Sequence, residues 1–172
     1  MSLPLCNSFT FHEDVITVAH GLILRQALRR CEAAVYLAGH ADGTNFIVDT
    51  LAIPHQEAFS LEEGCGLLIP GSEYTRLGTL VAEVRRDFCG QLHSHPEDAF
   101  HSPTDDANPT MRFGGALSVV IPRFGTDGMI VKDMAVFRFD LAKPGWRRWS
   151  PREVHLNLRT TKDGEALILG LD

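Results

Sequence analysis

The sequence predicts a mixed α/β (α+β) fold in one domain over residues 1–172: a mixed, mostly antiparallel sheet flanked by helices. Three observations predict it. Apolar residues recur at helical spacing in two stretches and form β-branched or aromatic runs elsewhere, in the order helix, hairpin, helix, strand, short helix, strands. Ala41-Asp42-Gly43, between two apolar runs, carries the Asp-Gly signal of a hairpin turn. The 172 residues are 44% apolar and 22% charged, which suffices for one core of ordinary size and argues against disorder.

The elements follow in order. Thr10-Phe11-His12-Glu13 has the capping-box spacing. Val15, Val18, Ala19 and Leu22 then recur at helical intervals, and Arg25, Arg29 and Arg30 suit the C-terminal end of that helix. Ala33–Gly39 and Asn45–Ile53 are the arms of the hairpin. Pro54 to Gly71 holds three glycines and is expected to be irregular, a loop long enough to suggest function. A second helix is expected from Ser72, with Leu77, Leu80, Val81 and Val84 as its apolar stripe. Phe88–His95 is expected to be a strand stopped by Pro96. Ala116–Pro122 and Met129–Phe139 are rich in β-branched and aromatic residues and are further strands. Trp146–Trp149 is expected to be a loop or a short edge strand, and Arg152–Arg159 a final strand.

Composition excludes several function classes. Lys+Arg is 16 against Asp+Glu 22, a net charge of −6, so nucleic acid is not an expected partner. Apolar runs such as Gly64–Pro70 and Gly114–Pro122 are far shorter than a membrane span, and no signal peptide is visible, so a cytoplasmic protein is expected. Cys6, Cys31, Cys65 and Cys89 form no CxxC pair and are expected as reduced, buried thiols.

The chemistry lies between Leu92 and Asp106. His93 and His95 are two apart on a strand, so both imidazoles face one side and can chelate one cation. Ser102 is a good N-cap and Pro103 suits the first helical position, which places Asp105 in the first turn. A carboxylate there completes a set of two His and one Asp. Three such ligands leave a fourth tetrahedral position for water, the pattern of a catalytic zinc. Either fragment alone is common in structural roles; their conjunction within thirteen residues is not. Ser94 is expected to face the opposite side of the strand. His101 and His40 are expected at the rim.

His93-Ser94-His95-Pro96, a short loop and Ser102-Pro103-Thr104-Asp105 together resemble the JAMM motif of the MPN+ (JAB-type) zinc metalloproteases. That family also has an upstream glutamate at the start of a strand ending in Leu-x-Gly. Glu32-Ala33-Ala34-Val35-Tyr36-Leu37-Ala38-Gly39 has this form, and the resemblance selects Glu32. It covers Phe9 to Phe139 in element order and is specific at Glu32 and from His93 to Asp105. In one respect the sequence departs: the family usually has seven residues between the second His and the Ser, and Pro96–His101 are six. An ungapped alignment makes Asp106 the ligand; Ser-x-x-Asp spacing and helix geometry favour Asp105.

The resemblance implies an MPN/JAB-like, cytidine-deaminase-like fold and a zinc-dependent isopeptidase or peptidase. Glu32 would act as general base on a zinc-bound water, and the Ser102 hydroxyl would donate to the developing oxyanion. The implied substrate is the C-terminal Gly-Gly tail of ubiquitin or a ubiquitin-like protein, free or in its conjugates, laid along a strand edge with Pro54–Gly71 as one wall. The implied partners include E1-like and E2-like proteins of the same pathway. One alternative is a processing peptidase for a sulfur-carrier-type precursor. Another, of a different class, is a metal-free MPN scaffold.

Overall fold

The computed structural model describes residues 3, 6–61, 64–107, 111–129 and 133–171. Its elements run β1 (Ser8–His12), α1 (Glu13–Ala27), β2 (Ala34–Asp42), β3 (Asn45–Ala52), β4 (Glu57–Leu61), β5 (Gly64–Leu68), α2 (Gly71–Glu83), β6 (Asp87–Ser94), α3 (Pro103–Ala107), β7 (Leu117–Ile121), a 3-10 turn (Arg123–Gly125), β8 (Ala135–Asp140), β9 (Gly145–Arg148), α4 (Pro151–Asn157), β10 (Leu158–Thr161) and β11 (Leu167–Leu169). This is the mixed α/β fold that the residue pattern predicts. No helix among the described residues is long and apolar enough to cross a membrane.

One sheet runs β10-β1-β3-β2-β6-β7-β8-β9, with β11 added beside β3. The longest strand, β2, lies antiparallel to both its neighbours, and β6 and β7 are parallel. Asp42 and Asn45 close the β2–β3 hairpin around Gly43, whose φ of 60° is the left-handed conformation that the Asp-Gly signal anticipates. Pairing shifts register by a bulge between Ala38 and Gly39, where the strands approach so closely that a Cβ on Gly39 would lie 1.8 Å from the Ile47 carbonyl oxygen.

The sheet separates two apolar layers. Val15, Ala19 and Ile23 of α1 pack with Val35, Leu37, Val48, Leu92, Val119, Ile121 and Val136. On the other face Leu77 and Val81 of α2 pack on Tyr36, Ala38 and Ala52. Val120, Ala135 and Phe137 form a smaller cluster beside them. Strand alternation explains the division: Leu92 joins the α1 layer, whereas Gln91 and His93 turn to the other face.

Four expectations are corrected. Thr10 does not cap α1; it lies in β1 and bonds to the Asn45 side chain, and the helix begins after His12 without a side-chain cap. Tertiary pairing of β1 with β3 has overridden the local capping signal. Pro54 to Gly71 is not irregular, since β4 and β5 pair as a hairpin with Phe59 opposite Gly66. The final strand expected at Arg152–Arg159 is mostly α4: Ser150 accepts from the Glu153 N–H, Glu153 reaches back to the Ser150 N–H, and Pro151 opens the helix. The strand expected over Met129–Phe139 begins only at Ala135, since Met129, Asp133 and Met134 are not strand; 130–132 lie outside the described residues. Cys6, Cys31 and Cys89 are free and buried, and burial pushes the Cys89 thiol well up; the Cys65 side chain lies outside the described residues.

Candidate metal centre

The C-terminal end of β6 carries His93 and His95, both buried. Their rings lie 5.1 Å apart between centroids, on the face away from α1. Ser94, between them, is fully buried on the opposite face, and its Oγ accepts from the Ala33 N–H at 3.1 Å. The chain leaves the sheet at Pro96 and returns over the histidines as α3. Ser102 caps this helix as expected: Asp105 N–H donates to Ser102 Oγ at 3.2 Å, and Ser102 N–H donates to Asp105 Oδ2 at 2.7 Å. The reciprocal cap aims the Asp105 side chain back toward β6. Its Oδ2 lies 3.3 Å from His95 Nε2, and its Oδ1 lies 3.6 Å from His93 Nε2.

One ligand atom from each of His93, His95 and Asp105 falls within 4.8 Å of the others. Both ring nitrogens of buried His93 lack a hydrogen-bond partner. Buried polar atoms are rarely left so, and a cation bridging the three residues would satisfy Nε2. Burial works against the Asp105 charge, yet the two imidazoles and the Ser102 N–H outweigh it and hold the carboxyl well below the usual carboxylate range. The donor set of two imidazoles and one carboxylate fits a divalent metal with an open coordination position.

Asp106 goes elsewhere. Its Oδ1 meets His101 Nδ1 at 3.2 Å, and the carboxylate is 59% exposed. His101 is not the rim residue that its loop position suggests. Its side chain is only 5% exposed, stacks on Phe137 with ring centroids 3.9 Å apart, and meets Trp146 edge-on. His101 Nε2 lies 2.9 Å from Ser118 Oγ, which also accepts from Gln91 Nε2 at 3.3 Å. A carboxylate only accepts, so Nδ1 carries the proton shared with Asp106. Burial, followed by the proximity of His93, lowers the His101 pKa and favours the neutral ring. Nε2 then accepts the Ser118 proton. Asp106, His101 and Ser118 are thus ordered like the triad of a serine hydrolase, but Ser118 is fully buried inside the sheet and cannot reach a substrate.

Glu32 is half-buried and lies two residues before the start of β2 at Ala34. Ala34 pairs with His93, and Ala33 and Ser94 bond through their backbones, so Glu32 follows at the level of His95. Beyond the end of β3, the side-chain amide of Gln56 takes over the strand's role. Its Oε1 accepts from the Ala34 N–H at 2.8 Å, and its Nε2 donates to the Ala34 carbonyl at 3.0 Å. The preceding residue, His55, donates its N–H to buried Glu73 at 2.7 Å, and Glu73 is gripped by Arg76. On the other side, Phe124 and Arg123 donate their N–H groups to the carbonyls of His95 and Glu97, both at 2.8 Å. Both donors have φ of 51°, a left-handed conformation costly for side chains of their size.

The structure therefore brings His93, His95 and Asp105 together, keeps Ser102 as the cap beneath Asp105, and sets Glu32 just before the adjacent strand β2. Gln56, Gln91 and Ser118 are assigned no role from the sequence, and His101 is buried where a rim position is expected. Gln91 shares the two-residue alternation of His93 and His95, and Ser118 interrupts an otherwise apolar strand; both signals were legible. Nothing in the sequence marks Gln56.

No family model matches the chain. The probable metalloprotease y4jG of Sinorhizobium fredii is 30% identical over 115 residues, covering 67% of this chain and 70% of that protein. Among solved structures, the solution structure of protein DSY2949 from Desulfitobacterium hafniense matches with a TM-score of 0.59 at 17% identity, covering 92% of this chain and 94% of that one. The second likeness is one of fold.

Proposed function

The chain belongs to the metalloprotease family of y4jG, and from that premise we propose that it is a zinc-dependent peptidase of the JAMM type. Its substrate in this reading is the C-terminal Gly-Gly tail of a ubiquitin-like protein, cleaved from a conjugate or a precursor. The observation that carries the reading is the convergence of His93, His95 and Asp105 beneath α3.

These three residues would hold the ion. A bound zinc ion supplies a Lewis acid for the scissile carbonyl and makes a nucleophile of water near neutral pH. The protein's own residues do the rest. Glu32, just before β2 and level with His95, takes the proton of the attacking water and returns it to the leaving amine. Ser102 uses an Oγ lone pair to cap α3, which leaves its hydroxyl proton free to donate to the oxyanion. Phe100 stands edge-on to His95 with ring centroids 5.1 Å apart and limits water at that side of the site. The tail would lie extended beside the β4–β5 hairpin, which follows Gln56 directly.

The test uses purified protein and a panel of ubiquitin and bacterial ubiquitin-like proteins ending in Gly-Gly, each as a linear fusion and as a lysine isopeptide. Cleavage after Gly-Gly that 1,10-phenanthroline abolishes and zinc restores supports the proposal. Preference for linear fusions identifies a precursor-processing peptidase. Absence of stoichiometric metal, with no zinc uptake, refutes the reading in favour of a scaffold. E1-like and E2-like proteins are the partners to seek by co-purification.

A further inference from the structure

We propose that His101 is a positioning residue, a clamp between Asp106 and Ser118 that fixes the rotation of α3 and so holds Asp105 on the metal. This inference rests on the assignment of His93, His95 and Asp105 as the metal-binding set.

The need for a clamp follows from the size of α3. It has five residues, Pro103–Ala107, and a helix of one turn does not sustain itself in water. The reciprocal Ser102–Asp105 cap is local and travels with the segment wherever it goes. It sets the shape of the turn but not its place over the sheet. His101 supplies a tie to the sheet, beside the bond from the Arg112 guanidinium to the Asp106 carbonyl. Its ring is sandwiched into the sheet face by Phe137 and Trp146. Nε2 accepts from Ser118, whose position on β7 is fixed beside Gln91 of β6. Gln91 and His93 are alternate residues of one strand, so the anchor and the first metal-binding histidine share a rigid support. Nδ1 donates to Asp106, the residue after Asp105.

Adjacent helical residues project about 100° apart. Tethering Asp106 to His101 on one side therefore presents Asp105 to His93 and His95 on the other. This arrangement gives the acidic doublet two distinct tasks. It also explains why a largely exposed carboxylate, Asp106, is directed at a buried imidazole rather than into solvent.

The test is metal binding by the full chain, with no substrate. Zinc affinity is measured by competition with a chromophoric chelator, and coordination is read from the visible spectrum of the cobalt(II) form. Outer partners of metal ligands typically contribute about 10–100-fold in affinity. His101→Ala is expected to weaken zinc binding within that range and to alter the cobalt spectrum, while His93 and His95 still bind. His101→Asn, which keeps a donor near Nδ1, should restore part of the loss; Asp106→Ala should weaken binding about 10-fold. In the His101→Ala background, adding Asp106→Ala should cost nothing further, because the two residues act as one tie.

Thermal melts of the metal-free variants check folding, and His101→Asn with Asp106→Ala carries the test if His101→Ala does not fold. Unchanged affinity and spectrum in the folded His101 variants, or losses from His101→Ala and Asp106→Ala that simply add, overturn the clamp. A wild-type chain that binds no zinc overturns the metal assignment itself. Binding that depends on His93 and Asp105 but not on His101 overturns the clamp alone.

Discussion

Asp105 and Asp106 are neighbours in sequence, but their carboxylates face different imidazoles: Asp105 Oδ2 lies 3.3 Å from His95 Nε2, and Asp106 Oδ1 lies 3.2 Å from His101 Nδ1. The two aspartates are therefore expected to differ sharply in zinc titrations. Asp105→Ala removes one of the three proposed protein donors and should weaken binding on the order of 1,000-fold or more, beyond the roughly 10–100-fold attached to an outer partner. Asp106→Ala should stay near 10-fold. A larger loss from Asp106→Ala than from Asp105→Ala would make Asp106 the ligand.

Glu32→Gln is expected to leave zinc affinity and the thermal transition close to wild type while turnover falls about 100- to 10,000-fold, the usual contribution of a general base. The change is nearly isosteric and removes only the proton acceptor. Parallel measurement of zinc stoichiometry and cleavage rate checks it. Full activity in a zinc-loaded Glu32→Gln variant would place the base elsewhere.

Acid should weaken the link between α2 and the loop beneath Glu32. The Arg76 guanidinium first, and then the His55 N–H, outweigh burial and hold the Glu73 carboxyl at about 2, against an ordinary value of 4.5. A depressed folded-state pKa means that the ionised group stabilises the fold above its unfolded pKa. That contribution fades as the pH falls from about 5 toward 2. The stability gap between wild type and Glu73→Gln, measured by urea unfolding, should be largest near neutrality and close progressively toward pH 2–3. A gap that stays constant from pH 7 to pH 3 would show that the carboxylate's charge is not what matters.

How much was legible in the sequence depended on whether a signal was local. Ser102, Pro103 and Asp105 specify their own helix start within four residues, and His93 and His95 specify a common face through strand alternation. Both patterns survive in the structure because few distant residues are needed to create them. Thr10 shows the opposite case: its capping-box spacing is genuine, but parallel pairing of β1 with β3 and β10 draws the segment into the sheet. Ser150-Pro151-Arg152-Glu153 carried an equally local helix start that the apolar spacing of the following residues obscured. Gln56 acts at a distance of twenty-two residues through a side chain imitating a strand, and no periodicity encodes that.

Gln56 distinguishes support of the proposed base, Glu32, from support of the proposed metal site. Its amide satisfies both the N–H and the carbonyl of buried Ala34, two residues after Glu32 and directly opposite His93. Gln56→Ala strips both partners from that peptide and should destabilise the chain by about 1–3 kcal/mol. The histidines stand on β6, which keeps β7 as its neighbour on the far side, so zinc affinity should change less than about 10-fold. The start of β2 keeps its pairing with β6 but loses its partner on the other side, so kcat should fall clearly while KM for a Gly-Gly fusion changes little. Gln56→Glu keeps the acceptor for the Ala34 N–H but sets a carboxylate oxygen against the Ala34 carbonyl, and it should fall between wild type and Gln56→Ala in stability. Paired measurement of unfolding free energy, zinc affinity and kcat decides the matter. If Gln56→Ala loses zinc in proportion to its activity, Gln56 supports the whole site rather than the segment that carries Glu32.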